Sequence, residues 1–117
     1  MDVILAEGKH TRLISRDGWE FVQRTNISGI VVIVAVTDEG KLLLVEQFRA
    51  PVAARVLELP AGLAGDIAGQ EDEDLVLAAQ RELVEETGFA AQKMEPLLEG
   101  PISAGLSDEV ITVFLAT

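Results

Sequence analysis

The stretch RELVEETGF, residues 81–89, carries the strongest signal in the sequence, because it places three glutamates on one turn of a predicted helix. Glu82, Glu85 and Glu86 have the i, i+3, i+4 spacing that brings side chains together on a helix surface. Like charges at this spacing repel each other by about 0.2–0.5 kcal/mol per pair. The cluster is therefore either a solvated acidic face or a site that holds a cation.

Three features favour the cation. The glutamates lie near the C-terminal end of the predicted helix, where the macrodipole disfavours negative charge. Only Arg81 is close enough to pair with Glu85, and one exposed pair adds little stability. LPAG, residues 59–62, ends a predicted strand shortly before the helix and brings a backbone carbonyl near the acidic face. Mg²⁺ prefers such oxygen ligands, together with waters and substrate phosphate, so the cluster indicates metal-assisted phosphate chemistry.

The composition limits the class of protein. The 117 residues suffice for one domain with its own core, and we predict a single domain over residues 1–117. The net charge of −11 argues against a nucleic-acid or membrane partner, because both are polyanionic. With no cysteine, disulfides and thiolate metal sites are excluded. The longest apolar run, residues 30–36, is too short to span a bilayer, and no signal peptide is evident, so a cytoplasmic location is expected.

Apolar runs and turn residues predict the elements before the helix. A hairpin over about residues 11–25 turns at Asp17-Gly18. The other predicted elements are a central strand over 29–37 buried on both faces, a turn over 38–41, a strand over 41–49 paired with the central strand, a short strand over 56–62 ended by Pro60 and Gly62, and a loop over 63–74.

The helix and the segments after it follow from local signals. Asp72 or Asp74 is the predicted N-cap, Glu73 favours the positive N-terminal end, and Gly88 ends the helix. Its core face consists of Leu75, Ala78, Ala79 and Leu83. Residues 93–100 and 109–117 are predicted strands around the loop over 101–108. Because the second strand pattern is still running at residue 117, we expect the full protein to continue with further structure.

The stretch RELVEETGF resembles the core of the Nudix box, Arg-Glu-apolar-any-Glu-Glu-any-Gly-apolar, at every fixed position. A chance match of this kind is on the order of one in a thousand or rarer. We place the box region at 62–89. Its front half departs from the pattern: Glu73 has the expected spacing, but the box glycine matches Gly62 rather than position 67, which predicts a five-residue insertion within residues 63–72.

Four flanking segments resemble the ADP-ribose pyrophosphatase branch of Nudix hydrolases: WEFVQR, VEQFRAP, ELPAG and SAGLSDE. This resemblance implies roles for individual residues. They are Glu82 and Glu86 as metal ligands with Glu85 assisting, Ala61 as a backbone-carbonyl ligand, Arg81 as the group that orients a box glutamate, Arg24 and Arg49 as diphosphate contacts, Trp19 as a base-stacking platform, Glu20 as a hydrogen-bond partner of the base, and Glu109 as the general base unless that base lies beyond residue 117.

Simpler interpretations exist for several of these residues. A lone tryptophan such as Trp19 is often part of a core, and Arg24 is a surface charge if its strand is an edge strand. Arg49 is favoured as functional because its guanidinium suits phosphate oxygens. Glu58 is interpreted as structural, bonding the nearby loop.

The resemblance implies an α/β Nudix fold, a mixed β-sheet sandwich flanked by α-helices. It also implies a Mg²⁺-dependent hydrolase, with Mn²⁺ as an alternative, that cleaves a nucleoside diphosphate linked to another group. ADP-ribose, split to AMP and ribose 5-phosphate, is the first expectation, and nucleotide sugars are the second. A homodimer is expected, in which the N-terminal strands cross to the partner. The alternatives are a non-catalytic Nudix-like binding domain, an acidic interaction domain, and an enzyme for dinucleoside polyphosphates or oxidised nucleoside triphosphates.

Overall fold

The computed structural model describes residues 1–65 and 74–117. Within these ranges the chain forms nine strands and one α-helix. In chain order they are β1 Asp2–Glu7, β2 Thr11–Arg16, β3 Trp19–Arg24, β4 Gly29–Ala35, β5 Val45–Arg49, β6 Ala54–Glu58, β7 Ala61–Ala64, α1 Leu75–Thr87, β8 Met94–Pro101 and β9 Val110–Ala116. A single 3-10 turn, Ala50–Val52, connects β5 to β6.

The central sheet has the strand order β7-β4-β9-β8. It is mixed, as predicted, because β4 runs parallel to β9 while β7 and β8 are antiparallel to their neighbours. Helix α1 covers one face of this sheet. Its buried residues Ala78, Ala79 and Leu83 pack in one cluster with Val31 and Ile33 of β4, which confirms the predicted core face of the helix. Two small alanines let the helix backbone approach the sheet closely.

The second face of β4 differs from the prediction. Val31, Ile33 and Ala35 are buried, but the alternate residues are only half-buried, and Ile30 and Val32 line a cleft. The prediction that β4 is buried on both faces was therefore wrong. A continuous apolar run cannot distinguish a fully buried strand from one whose second face borders a binding cleft.

The predicted pairing of residues 41–49 with the central strand is present only at the start of this segment and was wrong for β5. Leu42 bridges Val36, and the Leu43 N–H donates to the Ala35 carbonyl, but the pairing stops there. Strand β5 instead forms a two-stranded antiparallel hairpin with β6. The physical reason is that both edges of β4 are already occupied along its first half. Strand β7 pairs with one edge and β9 pairs with the other.

The segment around Pro60 forms two strands rather than one. Pro60 separates β6 from β7, in agreement with its predicted role as a strand end. Gly62 lies inside β7, opposite Val31 of β4, so the prediction that it ends the strand was wrong. Leu63 likewise belongs to β7 and not to the predicted loop.

The N-terminal strands β1, β2 and β3 form a separate sheet. Asp17 and Gly18, both with left-handed backbone angles (φ 52° and 84°), make the predicted turn between β2 and β3. Strand β1 was not predicted, because its residues are all exposed and show no alternation of buried and exposed positions. The free edge of β3 is occupied by the loop before β9, where the Val22 N–H donates to the Leu106 carbonyl.

The ends of α1 follow local rules. Asp74 occupies the N-cap position with extended backbone, although its side chain makes no capping hydrogen bond to a described residue. Gly88 ends the helix in the left-handed conformation (φ 77°), as predicted. Asp72, Glu73 and most of the predicted insertion lie outside the described residues. In the described ranges, no helix has the length and apolar character needed to cross a membrane.

Candidate active site

A cleft of about 670 Å³ lies where α1, the strands β4 and β7, and the β5–β6 hairpin meet. Its charged lining combines arginines and glutamates from five parts of the chain. These residues are Arg24, Arg49, Glu58, Glu82, Glu86 and Glu109. The four carboxylates outnumber the two guanidinium groups, so the cleft is negatively charged although it contains two anion-binding side chains. Such a site suits an anion only when a cation accompanies it.

Gly62 and Glu82 are in direct contact at the base of the cleft. A Cβ atom added to Gly62 would lie 2.0 Å from the Glu82 Cδ atom, so the glutamate occupies space that any other residue would fill. Arg81 Nη1 donates to Glu82 Oε1 at 3.0 Å, and Arg81 Nη2 donates to the Leu63 carbonyl at 3.3 Å. The Glu82 side chain is only 13% exposed. Strand β7 and Arg81 thus fix this carboxylate from two sides.

Glu86 lies one helical turn after Glu82 and faces the same cleft. The Ala61 N–H donates to Glu86 Oε1 at 3.2 Å, which ties the carboxylate to the start of β7. Burial raises the pKa of Glu86, and the hydrogen bond from the Ala61 N–H opposes this increase. Burial also raises the pKa of Glu82, and the charge of Arg81 opposes that increase. Two carboxylates whose charge is incompletely balanced by the protein face the same cleft, and this arrangement favours a divalent cation between them.

Glu85 is oriented differently from the other two glutamates. Its side chain is 55% exposed, lies outside the cleft lining, and accepts from Arg81 Nη1 at 3.3 Å. In residues 1–65 and 74–117, no three acidic, histidine or cysteine side chains converge as a complete protein-only metal site. Glu82 and Glu86 nevertheless fit Mg²⁺, which is commonly held by one or two carboxylates plus substrate phosphate and water.

Both arginines predicted to bind a diphosphate line the cleft, and each one contacts a carboxylate. Arg49 donates from Nε and Nη2 to the two carboxylate oxygens of Glu58, both at 2.8 Å. Arg24 donates from Nε to Glu109, the predicted general base. The structure therefore brings Arg24, Arg49 and Glu109 together with Glu82 and Glu86. Ala61, the predicted carbonyl ligand, lines the same cleft.

Trp19 and Glu20 lie away from this cleft. Trp19 is 64% exposed, and its indole N–H donates to the Gly105 carbonyl at 3.2 Å, so the core-packing interpretation of this residue was wrong. It borders a separate cavity of about 320 Å³, where the guanidinium of Arg16 lies 4.9 Å from the centroid of the Phe21 ring. Within one chain, the structure does not bring Trp19 or the exposed Glu20 to the glutamates.

Sequence reasoning did not identify Gly62 as a spacer for Glu82 or Glu58 as a partner of Arg49. Neither contact has a short-range signal, because each joins two elements whose pairing is known only from the fold. The one available hint was the glycine within a strand pattern, which often marks the close approach of another group.

The NUDIX domain model matches residues 28–116, which contain α1 and all the strands of the central sheet. The chain belongs to the Nudix family. Its box glutamates Glu82 and Glu86 are the two that face the cleft, and the predicted family resemblance is confirmed.

Two curated relatives of this Nudix chain are described as ADP-ribose pyrophosphatases. The protein from Bacillus subtilis (strain 168) is 42% identical over 88 residues, covering 75% of this chain and 45% of that protein. The protein from Mycobacterium tuberculosis (strain ATCC 25618 / H37Rv) is 43% identical over 89 residues, covering 76% of this chain and 41% of that protein. The chain thus spans about half the length of the curated relatives it matches.

A solved structure titled as an ADP compounds hydrolase has the same fold. It superposes with a TM-score of 0.75 at 22% identity, covering 99% of this chain and 64% of that chain. At this identity the similarity shows the fold alone, and it confirms the predicted α/β Nudix fold with a mixed sheet. The described residues supply a single flanking helix, α1.

Proposed function

We propose that the chain is a metal-dependent Nudix hydrolase that cleaves the pyrophosphate bond of a nucleoside diphosphate linked to another group. One observation carries this proposal: Glu82 and Glu86 face the cleft that also contains Arg24 and Arg49. Two carboxylates for a cation and two guanidinium groups for phosphate oxygens are the complement that a diphosphate requires. The names of the curated relatives favour ADP-ribose as the first substrate, with nucleotide sugars next.

The residues of the cleft have distinct roles in this proposal. Glu82 and Glu86 would hold Mg²⁺ or Mn²⁺, with the Ala61 carbonyl and Glu85 assisting. Such a cation would neutralise phosphate charge and would make a bound water more acidic. Arg24 and Arg49 orient the diphosphate through its non-bridging oxygens.

Glu109 is the proposed general base, because it is a cleft carboxylate that belongs to the loop beside Arg24. It accepts a proton from the attacking water while the water oxygen forms a bond to one phosphorus. The bond between that phosphorus and the bridging oxygen breaks, and the bridging oxygen leaves on the other phosphate. With ADP-ribose the products are AMP and ribose 5-phosphate.

The test of this function uses the full chain with Mg²⁺ and three substrate classes: ADP-ribose, nucleotide sugars and dinucleoside polyphosphates. We expect a nucleoside monophosphate as a chromatographic product from ADP-ribose, and loss of that product in Glu86→Gln. Binding of ADP-ribose without turnover of any substrate would contradict the proposal and support a non-catalytic binding domain.

We also propose a homodimer in which Trp19 stacks on the base bound in the partner's cleft. Support comes from the exposure of Trp19, its position outside the lining of the cleft of its own chain, and the exposed apolar residues Val3, Ile4 and Leu5 of the same N-terminal sheet. Gel filtration with light scattering is expected to give twice the chain mass, and Trp19→Ala is expected to raise KM about tenfold, because base–aromatic stacking contributes about 1–3 kcal/mol. A monomer at all concentrations would contradict this arrangement.

A cytoplasmic location and the absence of nucleic-acid and membrane partners stay predictions from the sequence.

A further inference from the structure

The Arg49–Glu58 pair is built on the face of the β5–β6 hairpin that borders the cleft. In the hairpin register Val45 is opposite Glu58 and Arg49 is opposite Ala54, so the two charged side chains extend towards each other along one face. Gln47 lies between them on the same face. Three polar side chains of the hairpin thus line the same wall of the cleft.

The geometry of this pair leaves part of the guanidinium available. Glu58 accepts from Nε and Nη2 of Arg49, both at 2.8 Å, so the edge formed by Nη1 and the second N–H of Nη2 remains available to contact a ligand. The hydrogen bonds from Arg49 hold the pKa of Glu58 below its usual value, because they favour the ionised carboxylate. Arg49 is half-exposed and unbranched, and without Glu58 its side chain would sample many rotamers.

We infer that Glu58 is a positioning residue, which orients the Arg49 guanidinium so that its free edge meets a phosphate of the substrate. This inference rests on the proposed function, because it assumes that a diphosphate occupies the cleft. Glu58 acts through Arg49 and does not touch the reacting atoms. The expected consequence is a loss of phosphate binding when Glu58 is changed, with the chemical step preserved.

A matched control lies on the opposite face of the same hairpin. Glu46 accepts from Arg55 Nε at 2.6 Å, so this pair has the same chemistry and joins the same two strands. Both of its side chains are exposed and lie outside the cleft lining. Any effect that Glu58→Gln exerts through weaker hairpin pairing should therefore also appear in Glu46→Gln.

The experiment measures kcat and KM for ADP-ribose, and the Kd of ADP and of adenosine by calorimetry with Mg²⁺. In Glu58→Gln we expect KM and the Kd of ADP to rise about tenfold, kcat to stay within about twofold, and the Kd of adenosine to be unchanged. Glu46→Gln should match the wild type. In an Arg49→Ala background, Glu58→Gln should have no further effect on ADP binding, because its partner is absent.

Several results would overturn the inference. Tighter ADP binding by Glu58→Gln would show that Glu58 competes with the substrate for Arg49. A fall in kcat at constant KM, an equal change in Glu46→Gln, or wild-type behaviour of Glu58→Gln would each remove the positioning role. A wild-type chain that binds ADP without hydrolysing ADP-ribose would reject the proposed function alone, and the ADP affinities would still decide the inference. A wild-type chain that binds no ADP would reject both.

Discussion

Gly62→Ala is expected to lower kcat/KM for ADP-ribose by about 100-fold, while the melting temperature changes little. The added Cβ atom would lie 2.0 Å from Cδ, 2.3 Å from Oε1 and 2.4 Å from Cγ of Glu82, whereas ordinary contacts begin at 3.4 Å. The carboxylate must therefore move by more than about 1 Å, and a displacement of this size at a catalytic group costs about two orders of magnitude in rate.

The fold should tolerate this substitution because the atoms that must move belong to a flexible side chain and not to the backbone. Gly62 has no left-handed backbone angle, so alanine introduces no conformational strain in β7. The energetic effect falls on the position of Glu82 and on its contact with Arg81. The same substitution thus separates the role of Gly62 as a spacer from any role in stability.

Gly100→Ala provides the matched control for this experiment. Gly100 also lies within a strand of the central sheet, and a Cβ atom at this position would meet nothing within 4 Å. We expect wild-type kinetics from Gly100→Ala, and thermal denaturation by circular dichroism should show that both variants are folded. Full activity of Gly62→Ala would mean that the position of Glu82 does not limit the reaction.

Local sequence signals predicted α1 well, and long-range pairing accounts for the errors in the fold. The apolar spacing that ends in Leu83 and the stop at Gly88 each act within one or two turns of the chain. The partner of β5 depends instead on which edges of β4 remain free, and β7 and β9 fill those edges from distant parts of the chain. A local sequence pattern therefore does not show which strand pairs with which edge.

The candidate site was predictable to the level of residue type and less so to the level of orientation. The helical spacing places three glutamates on neighbouring positions, but it does not determine which of them turns towards the cleft. Arg81 contacts both Glu82 and Glu85, and the absence of a side chain at Gly62 gives Glu82 space beside β7. Glu82 and Glu86 are thus oriented by contacts with a strand that precedes the helix by more than ten residues, whereas Glu85 pairs with Arg81 on the helix itself.

Because Glu82 faces the cleft and Glu85 does not, we expect their substitutions to lower activity by different amounts. Glu82→Gln is expected to lower kcat/KM for ADP-ribose by about 10³-fold, since a bound cation contributes several kcal/mol to a phosphoryl transition state. Glu85→Gln is expected to lower it by less than about tenfold, because Glu85 is exposed and pairs with Arg81 outside the cleft. Steady-state kinetics of both variants with Mg²⁺, and their affinity for Mn²⁺ by calorimetry, measure the difference.

Thermal denaturation in the presence of a chelator separates a lost cation ligand from a damaged fold. Burial raises the pKa of Glu82, so the folded state binds its proton more tightly than the unfolded state, and stability from this group falls as the pH rises through the folded pKa. At neutral pH the uncharged amide of Glu82→Gln removes that penalty, although it weakens the contact with Arg81. The metal-free variant should therefore melt at a temperature close to that of the wild type despite its inactivity. Equal losses of activity at Glu82 and Glu85 would instead show that Glu85 leaves Arg81 and turns into the cleft when the cation and substrate bind.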